Sequence, residues 1–189
     1  MARILFGIIL GILLVPVTVF LWFQHGTVPV AVADKPFPFE RRIVGIPLHA
    51  RIDRERIDLV PISPDDTNLI AGAHIYADKC AFCHGFHGKP SDIGDNMYPK
   101  APQLWEKHHN GNVVGVSDDP PGETYWKVSN GIRLTGMPSY VHQLTDTEMW
   151  QVSLLLANAN KPLPPAAGAI LHITAVAPPA AGAAQPATN

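Results

Sequence analysis

The sequence predicts an all-α protein with one small helical domain and a single membrane-spanning helix ahead of it. Three observations predict this. Ile4 to Phe23 is an unbroken uncharged run. Apolar residues recur at helical steps of three and four before residue 84 and again after residue 145. At the end of the first of these runs stands Cys80-Ala81-Phe82-Cys83-His84, around which the remaining elements can be organised.

The Cys-x-x-Cys-His pattern is the attachment signature for a c-type haem. Thiols three positions apart lie on one helical turn, so both can add to the vinyl groups along one porphyrin edge. The adjacent His84 is then carried under the iron as a ligand. A thioredoxin-like pair wants a βαβ context, which the sequence lacks. A structural zinc site needs four nitrogen or sulfur ligands, and the chain has only two cysteines. One motif predicts one covalently attached haem c.

Length and charge bound the rest. The chain has 189 residues, a net charge of −2 and 16% charged residues. That excludes a strongly basic nucleic-acid-binding face. Nineteen prolines and many alanines cluster towards the two ends, so the folded part is smaller than the chain.

Residues 1–23 read as a transmembrane anchor. Twenty residues from Ile4 to Phe23 span about 30 Å as a helix, the thickness of the hydrocarbon core. Trp22 and Phe23 suit the membrane interface. Arg3 and the amino terminus are the positive flank and place the N-terminus on the cytoplasmic side. A cleaved signal peptide is the competing reading, with Ala31-Val32-Ala33 as the site. The apolar run is longer than a signal h-region and the site lies well beyond it, so an uncleaved anchor is preferred. In either case the bulk of the chain is exported, to the periplasmic side of the cytoplasmic membrane.

Residues 24–64 carry six prolines, which argues against a long helix. They read as a semi-rigid tether, or as a collar on the domain or a docking strip. Ile43, Val44, Ile46, Leu48 and Ile52 among the arginines keep the collar reading open.

Residues 65–160 form the domain. Asp65 and Asp66 are N-terminal caps. Leu69, Ala73, Tyr76, Cys80 and Cys83 mark one helical face, and Gly85 can end the helix. Residues 85–121 are broken repeatedly by glycine and proline. A bound haem explains so long an irregular loop, with Tyr98, Leu104 and Trp105 turned inward. His87, His108 and His109 read as surface or hydrogen-bonded histidines, with a sixth iron ligand or a second metal site as the alternative. Met97 follows His84 too closely to reach the opposite face of the cofactor. Glu123 to Gly131 is a short helix. Thr145 and Glu148 form a capping box ahead of a strongly helical EMWQVSLLLANA, in which Trp150 is a core residue, as is Trp126 in the helix before. Residues 161–189 read as an extended, largely disordered proline- and alanine-rich tail in which Ile170 to Val176 can pack briefly.

Gly72, Tyr76 and Cys80 step by four, and this segment resembles the first helix of class I monohaem c-type cytochromes. Ala101-Pro102-Gln103-Leu104 resembles that family's loop in which a proline carbonyl accepts the histidine's free N–H, which points to Pro102 rather than Pro99. Gly131-Ile132 and Thr135-Gly136-Met137-Pro138 resemble its distal loop, which makes Met137 the sixth iron ligand opposite His84. Arg133 either pairs with a propionate or is solvated. The resemblance covers about residues 65–160, in a class I cytochrome c fold around one haem. It implies a membrane-anchored bacterial electron carrier, not an enzyme, that moves single electrons between redox proteins, respiratory or dehydrogenase complexes of the membrane. It implies no small-molecule substrate. An electron-entry subunit of a larger oxidoreductase is the alternative; a haem peroxidase or sensor, which needs a labile sixth ligand, is disfavoured by Met137.

Overall fold

The computed structural model describes residues 1–108, 111 and 113–173. They divide into two compact units, Met1–Gly45 and a second that begins at Ile46.

The first unit is dominated by α1 (Ala2–His25). Its mean hydropathy is 2.9 and none of it is buried. It is one helix long and apolar enough to cross a membrane. Pro16 sits inside it and removes one main-chain bond. Two residues on, the Thr18 hydroxyl donates to Leu14 O at 2.8 Å. Gly26 leaves the helix in extended backbone. The Trp22 ring lies 5.3 Å from Phe23 and 5.8 Å from Phe37, so the aromatic end of the helix gathers the chain that follows.

Proline content predicts no long helix in residues 24–64, yet α2 runs from Glu40 to Glu55 with Pro47 inside it. The boundary between the two units falls within α2. Pro47 costs the helix one hydrogen bond, but other interactions hold both ends. Glu40 accepts from Phe37 N at 2.8 Å before the first turn. Arg51 and Glu55 pair at 2.9 Å in the last turn. Ile52 is 1% exposed, and the Trp126 indole donates to Glu55 Oε2 at 2.9 Å. Tertiary contacts outweigh the local penalty here.

In the second unit α3 (Asp66–Ile75) opens with Asp65 accepting from Asn68 N at 3.0 Å. It passes through a wide π-helical turn, Tyr76–Cys80, into α4 (Ala81–His84). Next come α5 (Asp92–Asp95) and a two-stranded antiparallel ribbon, β1 (Lys107–His108) and β2 (Val113–Val114). Then α6 (Pro121–Asn130) leads to α7 (Asp146–Ala157). The capping box is present: Glu148 Oε2 accepts from Thr145 N at 2.8 Å, and Glu148 N donates to Thr145 Oγ1 at 3.3 Å.

The core forms where α3 crosses α7. A Cβ on Gly72 would collide with the Gln151 carbonyl and press on Leu155 Cβ. Only glycine lets the two backbones come so close. Tyr76, Val152 and Leu155 are fully buried around this crossing. α6 also packs on α7, with Tyr125 stacked on Trp150 at 4.2 Å.

The tail is more ordered than its composition predicts. α8 (Pro165–Ile170) packs on α3, with Ala167 and Leu171 fully buried. Burying Leu171 contributes about 2 kcal/mol. Pro165 stands at the first helical position, where its missing N–H costs nothing. The rest of the predicted tail, residues 174–189, lies outside the described residues.

Candidate haem site

The attachment motif begins as α3 widens. Ala81 N bonds to Tyr76 O, five residues back, and such π turns concentrate at functional positions. Cys80 and Cys83 are both half-buried free thiols. Burial, with Cys83 nearby, pushes the Cys80 thiol up to about 12, which keeps it neutral. Phe82, between them, is 72% exposed.

Each carbonyl after Ala81 in the motif is held by a specific partner. Phe82 O accepts from the Ser91 hydroxyl at 2.6 Å and Cys83 O from Gln103 Nε2 at 3.5 Å. His84 O accepts from Leu104 N at 3.3 Å, and the Tyr76 hydroxyl reaches Gly85 O at 2.7 Å and His84 O at 3.2 Å. Gln103 also accepts from Ser91 N at 2.8 Å, so one side chain clamps the loop to the motif. Sequence reasoning missed Gln103 and Ser91. Gly85 turns the chain with φ +70°, and a Cβ on Gly94 would collide with Cys83 O.

His84 Nδ1 lies 2.7 Å from Pro102 O. A carbonyl can only accept, so Nδ1 carries the proton and Nε2 is left with its lone pair. Burial holds the His84 imidazole below its usual pKa, against the opposing effect of the Pro102 bond. The ring is neutral and oriented, with the Nε2 lone pair free, the state a metal requires.

The loop of Met137 folds back on itself. Met137 N donates to Thr135 Oγ1 at 3.1 Å, Thr135 Oγ1 donates to Ile132 O at 2.7 Å, and Ile132 N donates to Met137 O at 3.2 Å. Gly131 begins it with φ +66°, and a Cβ there would crowd the Pro138–Ser139 backbone. Tyr140 joins this loop to the motif, since its hydroxyl donates to Lys79 O at 2.8 Å. Burial, then the Cys80 and Cys83 thiols, raise its pKa. Met137 is half-buried against the same core as Cys80 and Tyr140.

A Cβ on Gly136 would overlap the Met97 methyl, so Met97 touches the loop that carries Met137. Of the histidines, His87 is exposed, His108 bonds to Gly115 O, and His109 lies outside the described residues. Arg133 is exposed.

These residues fit a covalent haem. Two free thiols stand just ahead of an oriented neutral imidazole. Two buried groups, Tyr98 Oη and Trp105 Nε1, have no hydrogen-bond partner among the described residues, and buried donors need one. Both can donate to carboxylates of the kind a haem carries.

The helices, the motif and its supports define a haem-binding domain of the cytochrome c class. Residues 67–154 match the family model described as cytochrome c oxidase, cbb3-type, subunit III, a little under half of the chain. This stretch is a c-type cytochrome domain, which implies haem c and electron transfer with redox partners. No curated protein matches the chain.

Proposed function

We propose that this chain is a monohaem c-type cytochrome that carries single electrons between membrane-associated redox partners. The bond from His84 Nδ1 to Pro102 O, at 2.7 Å, is the observation that carries the reading. It gives the histidine of the attachment motif the tautomer and orientation of an iron ligand. Cys80 and Cys83 would hold the haem by thioethers, and His84 Nε2 and the Met137 thioether would ligate the iron. When bound, a haem c supplies a one-electron ferric/ferrous couple. A thioether ligand and apolar surroundings favour its ferrous form. Tyr98 and Trp105 would donate to the propionates. α1 would anchor the chain in the cytoplasmic membrane, N-terminus inside and haem domain on the periplasmic side.

The test is the spectrum of the haem-loaded protein, oxidised, reduced, and reduced with carbon monoxide, for the wild type and Met137→Ala. The expected wild type is low-spin, shows a ferric methionine-to-iron charge-transfer band and takes up no carbon monoxide. Met137→Ala loses the band and binds carbon monoxide. A high-spin wild type that binds carbon monoxide would sink the carrier reading and favour an enzyme or a sensor.

The description of the matched family as an oxidase subunit supports a second reading, a haem-bearing subunit of a larger oxidoreductase. Purification in mild detergent separates the two: a subunit leaves the membrane with stoichiometric partners, a free carrier alone.

A further inference from the structure

The wall that carries the attachment motif and the loop that carries Met137 meet through Met97. Gly94 lies against Cys83 O, closely enough that a Cβ would collide. Three residues on, Met97 N donates back to Gly94 O at 3.4 Å. The half-buried Met97 side chain then crosses to Gly136, where its methyl takes the space of a Cβ. Gly136 precedes Met137 directly. A continuous series of contacts therefore runs from Cys83 through Gly94, Met97 and Gly136 to Met137.

The hydrogen bonds of the Met137 loop are almost all local, spanning Ile132 to Met137. They shape the loop but do not press it towards the motif. Tyr140 ties it down three residues beyond Met137; Met97 ties it down one residue before. A methionine suits this role, because its long, flexible thioether fills an irregular gap over bare backbone.

We propose that Met97 is a positioning residue for the Met137 thioether: by packing on Gly136 it holds the Met137 loop closed and sets how readily the sixth iron position opens. This rests on the reading of Met137 as an iron ligand.

The experiment measures imidazole binding to the ferric, haem-loaded full chain, together with the methionine charge-transfer band. Variants are Met97→Ala, Met97→Leu, Gly136→Ala and the Met97→Ala/Gly136→Ala pair. Met97→Ala is expected to keep the band at rest but tighten imidazole binding about fivefold or more, the effect of losing a contact of ordinary size. Met97→Leu keeps the packing and stays near wild type. Gly136→Ala displaces the flexible end of Met97 rather than any backbone, and supplies the same shift should Met97→Ala load haem poorly. The pair is no worse than the stronger single variant, because both break one contact.

If the wild type has the band but Met97→Ala and Gly136→Ala bind imidazole like it, this proposal fails alone. If Met137→Ala keeps the band and Met97→Ala loses it, Met97 is itself the ligand and the proposal is wrong. A wild type with no band overturns the Met137 reading and this proposal with it.

Discussion

Gln103 shows what holds the histidine in place. Its carboxamide accepts from Ser91 N and donates to Cys83 O, so it fixes the start of the return loop against the motif. One residue earlier in the chain, Pro102 O meets His84 Nδ1. Losing Gln103 leaves a part-buried Ser91 N–H unmet and frees the chain next to Pro102. Gln103→Ala is expected to cost the haem-loaded domain about 1–3 kcal/mol, measured by denaturant unfolding. An unchanged midpoint would mean that water replaces the amide at no cost. Cys80, Cys83 and His84 stand out in the sequence because attachment chemistry demands closely spaced residues. Pro102 was singled out only by resemblance. Gln103 and Ser91 were not legible, since a polar residue clamping carbonyls 20 and 9 positions away has no signature of its own.

Among the elements, the crossing of α3 over α7 depends most on one residue. Gly72 faces the Gln151 carbonyl, which is backbone and cannot swing aside. Gly72→Ala therefore overpacks the crossing and is expected to destabilise the domain by about 1–3 kcal/mol, although alanine is the better helix former. A thermal melt of the haem-loaded variant checks this; a stabilised variant would mean that the helices separate without cost. The bounds of α7 were readable from its capping box, which is a local device. α2 was not readable. Pro47 argues locally for a break, and what overrides it includes Glu55 accepting from an indole 71 residues away. α8 was missed for the same reason: its small residues resemble a linker until Ala167 and Leu171 are seen buried on α3.

Across the whole molecule, the response to acid follows from carboxylates at key joints. Asp65 is held below its usual pKa, first by the Asn68 main-chain N–H, and Glu148 by that of Thr145. Glu55 is lowered first by the Trp126 indole and then by Arg51. Each folded pKa lies below the unfolded one. The stabilisation is thus full above the ordinary carboxylate range, about pH 4–5, and is lost as the pH falls through the folded values. Stability should hold down to the ordinary imidazole range, about pH 6.5, below which unfolded His84 binds a proton that the folded ring resists, and should decline further below the carboxylate range. Glu55→Gln is expected to flatten part of the decline, read as denaturant midpoints across acid pH; an identical acid profile would show that the Trp126 contact carries no linkage.

The sequence by itself determined the apolar helix, the helix caps and the attachment motif, because a run of hydrophobic side chains, a cap and a pair of thiols one turn apart act over a few neighbouring residues. Tertiary structure alone decided that Pro47 stays inside a helix, that Gln103 clamps the motif, and that Met97 reaches Gly136. These depend on which distant backbones come into contact, and that is set by packing of the whole core rather than by any local preference.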